Sequence, residues 1–209
     1  MDGSWLRGGS LVLFAYFLGS VPFGILVTGI FAKNVDLREI GSGNIGATNV
    51  ARAAGKAAGV ITLVLDIGKG VLPMVLADML VGENYLWLSL VGGAAFLGHV
   101  FPVYLNFRGG KGVATALGVV LYLSAVTTFV LLVLFALILY FTRYVSLGSL
   151  CAAVALPILM ALLGPPSRNT VTLCLLISLV VIYKHRENIH RLLTGQENKF
   201  GTPKNRDVP

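Results

Sequence analysis

Long apolar runs constrain the fold of this chain more than any other feature. A helix crosses a bilayer with about 20 consecutive apolar residues, and six runs approach or exceed that length. They are Leu11–Ala32, Ala57–Val81, Tyr85–Tyr104, Val113–Phe141, Val145–Leu163 and Thr170–Tyr183. Just 12% of the 209 residues are charged, whereas soluble domains are about a quarter charged. The sequence therefore predicts an all-α integral membrane protein.

The fourth run, Val113–Phe141, decides the number of spans. As one helix it would be about 43 Å long, against a hydrocarbon core of about 30 Å. If it divides near Ser124, all loop Lys and Arg residues except Arg7 and Arg168 share one side of the membrane. If the run stays one helix, the basic residues divide almost evenly, with 7 on one side of the membrane and 8 on the other. Because basic residues concentrate in cytoplasmic loops, we expect about seven transmembrane helices, with the N-terminus outside and the C-terminus cytoplasmic.

The whole chain is expected to form one unit. Residues 1–200 are predicted to be a single polytopic domain and residues 201–209 a flexible tail. The stretch Leu11–Phe31 is predicted to be a span and not a removed signal peptide. The net charge of +7 lies in short gaps between apolar runs, which favours membrane orientation over binding of nucleic acid. Cys151 and Cys174 lie inside apolar runs and suggest neither a metal site nor a disulfide.

The first polar loop, Gly41–Asn49 followed by Arg52, is rich in glycine. Glycines allow backbone N–H groups to turn toward an anion. Thr48 or Asn49 could cap a helix that runs through Arg52 into the second span. A plain flexible turn is the alternative. The candidate substrate-binding residues in this loop are Ser42, Gly43, Asn44, Thr48 and Arg52.

The second polar loop places three glycines around one cation at the start of a helix. Gly109, Gly110 and Gly112 surround Lys111, and helix N-termini with nearby glycines bind phosphates. The loop does not fit the nucleotide-binding glycine-lysine motif, which needs a glycine where Leu105 stands and a hydroxyl where Gly112 stands. We therefore expect phosphate binding without nucleotide hydrolysis. A positive-inside turn is the alternative.

Two further groups of polar residues border the last spans. His185 and Asn188 are three residues apart and can share a helix face, unless this stretch is simply a solvated basic helix end. Glu187 is expected to pair with Arg191 or with an N–H donor of a neighbouring loop. Ser146 and Ser149 begin a span and could act as hydroxyl donors or as helix caps.

Three ionisable residues lie within or beside the apolar runs. Asp66 and Lys69 lie two to three turns inside the second run, where charges are costly unless paired. They are expected to pair with each other at i, i+3. His99 is expected to be a satisfied polar group near a helix end.

Five motifs, taken together and in order, resemble one known family. They are Gly41–Asn49 with Arg52, Gly98–Pro102, Gly109–Gly112, Arg143–Leu147 and His185–Asn188. The chain resembles the bacterial acyl-phosphate:glycerol-3-phosphate acyltransferases (PlsY). The resemblance implies seven spans in the bacterial inner membrane with the motifs on the cytoplasmic side. It also implies that a fatty acyl phosphate acylates the 1-hydroxyl of glycerol 3-phosphate, giving lysophosphatidic acid and phosphate.

The resemblance also implies roles for individual residues. Ser42, Arg52, Lys111, Ser149, His185 and Asn188 would surround the phosphates and the reacting groups; the catalytic candidates among them are Lys111, Ser149, His185 and Asn188. Two phosphate-bearing substrates match the two predicted anion sites, at Arg52 and Lys111. Acyl phosphate has a good leaving group, so no metal or cofactor is required. The general base is either His185 or a phosphate oxygen of a substrate.

A membrane transporter for an organic phosphate is the alternative function. Transport sites lie near the bilayer midplane on broken helices. The candidate residues here cluster on one side, which favours the enzyme.

Overall fold

The computed structural model describes residues 3–165 and 167–201, and this part of the chain is helical. A 3₁₀ turn, Val103–Leu105, follows the fifth helix. The ten helices of the described residues are α1 Gly3–Gly19, α2 Phe23–Phe31, α3 Ala47–Ala54, α4 Lys56–Val81, α5 Tyr85–Val100, α6 Val113–Leu123, α7 Ala125–Thr142, α8 Val145–Leu163, α9 Arg168–Lys184 and α10 Arg186–Leu193. Most of the predicted tail, residues 202–209, lies outside the described residues.

The surface of the helices is apolar, as expected of a membrane protein. Large side chains such as Ile30, Phe129 and Leu179 are exposed, and in a bilayer they would contact lipid. Five helical segments of the described chain are long and apolar enough to cross a membrane. They are Trp5–Phe31, Lys56–Val81, Tyr85–Leu105, Ala125–Thr142 and Val145–Leu163. The all-α membrane fold is therefore confirmed, whereas the count of seven spans stays a prediction.

The expected division of the fourth run lies at Ser124. This residue has an extended backbone, with φ −159°, and separates α6 from α7. Its hydroxyl oxygen accepts a hydrogen bond from the Thr127 N–H at 3.1 Å, which caps α7. A side chain that satisfies free N–H groups makes a helix start here favourable inside an apolar segment.

The first apolar run is also divided, which the sequence analysis did not predict. Helix α1 ends at Gly19 and α2 begins at Phe23. Pro22 has no N–H group and cannot continue the hydrogen bonding of a helix. The carbonyl of Val21 accepts a hydrogen bond from Lys69 Nζ at 2.8 Å. The same carbonyl accepts the Phe23 N–H at 3.1 Å, so a buried cation adds a second hydrogen bond at the break.

Helix α5 lies at the centre of the bundle and packs on α1, α4, α6 and α9. Its Val91, Ala95 and Phe96 are fully buried. Glycines allow close helix contacts on both sides of this centre. A side chain at Gly98 would overlap the carbonyl of Tyr16 in α1, and one at Gly118 of α6 would overlap the carbonyl of Ile67 in α4.

The predicted continuous helix from Thr48 or Asn49 into the second span is wrong. Helix α3 begins after Gly46 and ends at Ala54, and α4 starts anew at Lys56. Gly55 lies between them with φ +91°, a conformation that favours glycine. Because the chain turns at Gly55, α3 is a separate short helix that carries Arg52.

Candidate active site

A cavity of about 440 Å³ brings the two predicted loops and the end of the last long helix together. Most of its polar lining residues lie in loops and at helix ends, and most of its apolar ones lie farther along α6 to α9, so one end is polar and the other apolar. The polar lining comprises Ser42, Asn44, Thr48, Asn49, Arg52, Asp66, His99, Lys111, Ser146, Ser149, His185, Asn188, Glu197 and Asn198. Residues from Ser42 to Phe200, which lie far apart in the sequence, thus face one space.

The first loop is held together by the side chain of Asn49. Its Nδ2 donates to the carbonyls of Leu37 at 3.0 Å and Ile40 at 2.9 Å. Its Oδ1 accepts from the Ser42 N–H at 3.2 Å. Asn49 is 2% exposed, so these bonds are well shielded from water. The predicted capping role is wrong, and Asn49 instead fixes the shape of the loop.

This loop presents several of the predicted binding residues to the cavity. Ser42, Asn44, Thr48 and Arg52 line it, and the Arg52 side chain is exposed. Asn44 Oδ1 accepts from the Gly46 N–H at 3.1 Å, just before α3 begins. Gly43 is not among the lining residues, and its φ of +66° identifies it as a turn glycine.

The glycines of the second loop pack closely against α5. The N–H of Gly109 donates to the Val100 carbonyl at 3.3 Å, and that of Gly110 to the His99 carbonyl at 3.1 Å. A side chain at Gly110 would overlap His99, and one at Gly112 would overlap the Phe96 ring. Gly109 and Gly110 therefore hold the loop against α5 with N–H groups that already have acceptors. Substrate contact by these two glycines stays a prediction.

Lys111 extends from this loop to the last helices. Its Nζ donates a hydrogen bond to Asn188 Oδ1. Partial burial and repulsion from Arg191 lower the pKa of Lys111 to about 8. The ammonium is thus still mostly charged at neutral pH, and an anion bound beside it would favour the charged form further.

His185 lies at the junction between α9 and α10, where the helix axis is interrupted. Its Nδ1 is 2.8 Å from the Val181 carbonyl. Because a carbonyl can only accept, Nδ1 carries the proton and Nε2 is left as an acceptor. Burial, together with the nearby Lys111 charge, lowers the pKa of His185 to about 4. The imidazole is therefore neutral at pH 7.

Glu197 lines the cavity and is a candidate site residue that the sequence reasoning missed. Its carboxylate accepts hydrogen bonds from Ser146 Oγ at 2.9 Å, Asn188 Nδ2 at 2.7 Å and Arg191 Nε at 2.9 Å. These donors, above all Arg191, keep the pKa of Glu197 below its usual range despite partial burial. The expected pairing of Arg191 with Glu187 is wrong. Gly195, with φ +71°, turns the chain back toward the site and is the sequence signal for this arrangement.

Two serines of α8 lie side by side at the cavity. Ser146 is engaged with Glu197, and Ser149 Oγ donates to the Val145 carbonyl of its own helix at 3.0 Å. Both line the cavity and are buried. The Ser149 hydroxyl oxygen still has acceptor capacity, and its proton can be redirected to a ligand by rotation about one bond.

The polar end of the cavity is electropositive. Arg52, Lys111 and Arg191 are close enough to interact, since Arg191 lowers the pKa of both other groups. Glu197 offsets part of this charge at both Arg52 and Lys111, and Glu187 does so at Lys111. Among the described residues, no group of three His, Cys, Asp or Glu side chains could hold a metal ion.

The opposite end of the cavity is lined by aliphatic and aromatic side chains. These come from four helices, α6 to α9, and include Leu117, Val120, Leu131, Leu132, Phe135, Leu156 and Ile177. A molecule with an anionic head and an apolar chain fits such a lining, because each part meets groups of its own polarity.

The predicted ion pair in the second apolar run is confirmed. Lys69 Nζ lies 2.9 Å from Asp66 Oδ1, and both side chains are buried. His99 Nδ1 lies 3.6 Å from the same Asp66 oxygen. The prediction that His99 is a satisfied polar group is wrong, since its Nδ1 has no hydrogen-bond partner among the described residues.

The chain is similar in sequence to proteins of known family. The sequence model of the family described as glycerol-3-phosphate acyltransferase matches residues 10–195. A glycerol-3-phosphate acyltransferase of Syntrophotalea carbinolica is 48% identical over 191 residues, which cover 91% of this chain and 96% of the relative. One of Aquifex aeolicus is 47% identical over 191 residues, covering 91% of this chain and 97% of that protein.

Two solved structures are also similar. The crystal structure of PlsY (YgiH), an integral membrane glycerol 3-phosphate acyltransferase, in its glycerol 3-phosphate form has a TM-score of 0.87 and 43% identity. The lysophosphatidic acid form has a TM-score of 0.84 and 42% identity. Each comparison covers 94% of this chain and 96% of the other.

Proposed function

The chain belongs to the glycerol-3-phosphate acyltransferase family, and we propose that it acylates the 1-hydroxyl of glycerol 3-phosphate with a fatty acyl phosphate as donor. It is an integral membrane acyltransferase of phospholipid synthesis. The related PlsY structures are of a glycerol 3-phosphate form and a lysophosphatidic acid form, which correspond to the acceptor and product of this reaction. No observation on this chain favours the transporter.

The observation that carries the proposal is the division of the cavity into a cationic end and an apolar end. An acyl phosphate has the same division. Its chain fits beside Leu132, Phe135 and Leu156, and its phosphate fits beside the cations. Glycerol 3-phosphate adds a second anion, which would account for two cations at the cavity, Arg52 on α3 and Lys111 in the second loop.

The reaction requires no covalent enzyme intermediate. The 1-hydroxyl oxygen attacks the acyl carbonyl carbon, a new C–O bond forms, and the bond between that carbon and the phosphate oxygen breaks. Inorganic phosphate leaves, and the hydroxyl proton passes to an acceptor. Lys111 and Arg52 would offset phosphate charge, while Asn188 and Ser149 would orient the reacting groups.

The proton acceptor that we favour is a phosphate oxygen of a substrate. His185 presents Nε2 as an acceptor, but a pKa of about 4 makes it a weak base. The second pKa of a phosphate monoester is about 6, so a phosphate dianion binds the proton more strongly. His185 would then act as a hydrogen-bond acceptor that orients the hydroxyl.

We also propose a seven-span topology in the bacterial inner membrane, with the N-terminus outside and the active site facing the cytoplasm. The break at Ser124 supports it, because an even number of crossings between the Lys111 loop and Arg143 keeps both on one side. All the polar groups of the cavity would then be accessible to water-soluble glycerol 3-phosphate.

Product analysis of the purified protein tests the function. The protein in detergent receives palmitoyl phosphate and glycerol 3-phosphate, and the expected products are phosphate and 1-acyl lysophosphatidic acid in equal amounts. Acylation at the 2-hydroxyl would contradict the assigned position. Uptake of glycerol 3-phosphate into protein-containing vesicles without product formation would favour the transporter instead.

A further inference from the structure

Three ionisable groups form a buried cluster at the edge of the active-site cavity. Asp66, Lys69 and His99 are 2%, 4% and 5% exposed. Asp66 Oδ1 is 2.9 Å from Lys69 Nζ and 3.6 Å from His99 Nδ1. A cluster of this kind is costly in an apolar bundle, and local pairing accounts for Asp66 and Lys69 but not for the histidine.

One side of the cluster supports an irregular segment of the backbone. Lys69 Nζ donates to the Val21 carbonyl at 2.8 Å, within the break between α1 and α2. It also lies 5.5 Å from the centre of the Phe23 ring. Lys69 thus has structural partners, and it is not among the residues that line the cavity.

The other side of the cluster supports the Lys111 loop. The His99 carbonyl accepts the N–H of Gly110 at 3.1 Å. The same glycine lies so close to the imidazole that a side chain there would overlap Nε2, and Cε1 would be 3.1 Å from it. The imidazole therefore packs directly against Gly110, the residue that precedes Lys111.

Asp66 and His99 also line the cavity itself, together with Lys111. The orientation of the imidazole depends on its Nδ1 side, where Asp66 is the nearest charged group. If the N–H of Nδ1 donates a hydrogen bond to this carboxylate, Nε2 carries no proton and faces Gly110. A shift of the ring would displace Gly110 and, with it, the ammonium of Lys111.

We propose that His99 and Asp66 are positioning residues that set the location of Lys111 for the phosphate of its substrate. The proposal rests on the function proposed above. His99 acts through Gly110, with no contact to the reacting atoms, and Asp66 acts through His99.

Kinetics of variants at Gly110 and His99 test the contact directly. The relevant KM is that of the phosphate substrate that Lys111 holds, identified as the one whose KM rises in Lys111→Ala. Gly110→Ala should raise this KM by about tenfold or more, because the added methyl group overlaps the imidazole. His99→Asn keeps a nitrogen near the Nδ1 position but removes Nε2 and Cε1.

The double variant His99→Asn/Gly110→Ala should therefore be no worse than His99→Asn, within about twofold. The methyl group then occupies the space that the ring atoms vacate. In all three variants kcat should stay within about threefold of wild type, since the chemical step is unchanged. Asp66→Asn should raise the same KM, and it provides a second test if His99→Asn fails to fold.

Thr128→Val is the matched control. Thr128 is also buried, in α7, and its hydroxyl has no hydrogen-bond partner among the described residues. This variant should change neither KM nor kcat. If the increases in KM of the two single variants multiply in the double variant, the proposal is overturned. A lowered melting temperature without any change in KM would also overturn it.

A loss of kcat at unchanged KM in His99→Asn would place His99 in the chemical step and also overturn the proposal. Thermal stabilisation by glycerol 3-phosphate, measured without a donor, separates the two hypotheses. If the wild-type protein lacks turnover but the variants still weaken this stabilisation non-additively, the proposed reaction fails while the positioning role stands.

Discussion

Replacement of Lys111 by alanine removes the cation that links the second loop to the last helices. The Nζ of Lys111 donates to Asn188 Oδ1 at the polar end of the cavity. A charge-assisted hydrogen bond contributes about 1.5–3 kcal/mol, and each 1.4 kcal/mol is about a factor of ten. We therefore expect kcat/KM to fall by about 10- to 150-fold, and by more if the closed site excludes water.

The assay follows phosphate release by purified variants in detergent. Lys111→Arg should restore part of the rate, because it keeps the charge but places a broader guanidinium in a site that fits an ammonium. Arg168→Ala is the control, since Arg168 begins α9 and His185 follows its last residue, about 25 Å away. Wild-type kcat/KM in Lys111→Ala would refute the phosphate-binding role and leave the loop as a positive-inside turn.

Three further predictions address charge, topology and stability. Because Lys111 has a pKa of about 8, its charge is lost as the pH rises through that value, and kcat/KM should fall above about pH 8. Lys111→Arg should abolish this fall. An identical pH profile in the variant would exclude Lys111 as the titrating group. In a cysteine-free background, a cysteine at Arg143 should be labelled from the cytoplasm and one at Arg168 from outside, and reversed labelling of Arg143 would contradict seven spans. Glu197→Ala leaves three donors without their acceptor, so its melting temperature should fall by about 3–10 °C, whereas an unchanged value would show that these hydrogen bonds add no net stability.

The membrane class and the division of the fourth run followed from hydrophobic length and charge. Ser124 could be located because an undivided helix would be too long for the bilayer. The same reasoning failed for the first run, since Leu11–Ala32 has the length of one span. Its break depends on Pro22 and on Lys69, which satisfies the Val21 carbonyl from another helix. Local sequence does not reveal such a tertiary partner.

Arg52, Lys111, His185 and Asn188 line one cavity, and their roles toward the substrates stay predictions. The sequence could not show whether an individual glycine is needed for anion binding or for close packing. Gly109 and Gly110 suggested N–H groups free for a phosphate, but those groups donate to α5. A glycine needed for an anion and one needed for close packing look the same until the neighbouring helix is placed.

Glu197 was missed because acidic residues do not suggest a phosphate site. It lies beyond the last helix, in a segment that contributes no apolar face. Its importance arises from three donors that come from α8 and α10. Such a contact joins elements that are far apart in sequence, and it can be recognised only once both helices are in place.

The most direct test of the account compares acyl donors under identical conditions. Purified protein receives glycerol 3-phosphate with either palmitoyl phosphate or palmitoyl-CoA, and lysophosphatidic acid is measured by mass spectrometry. The account predicts turnover with palmitoyl phosphate, with one phosphate released for each lysophosphatidic acid formed, and none with palmitoyl-CoA. Comparable turnover with palmitoyl-CoA would contradict the claim that the cationic end of the cavity binds the phosphate of the donor.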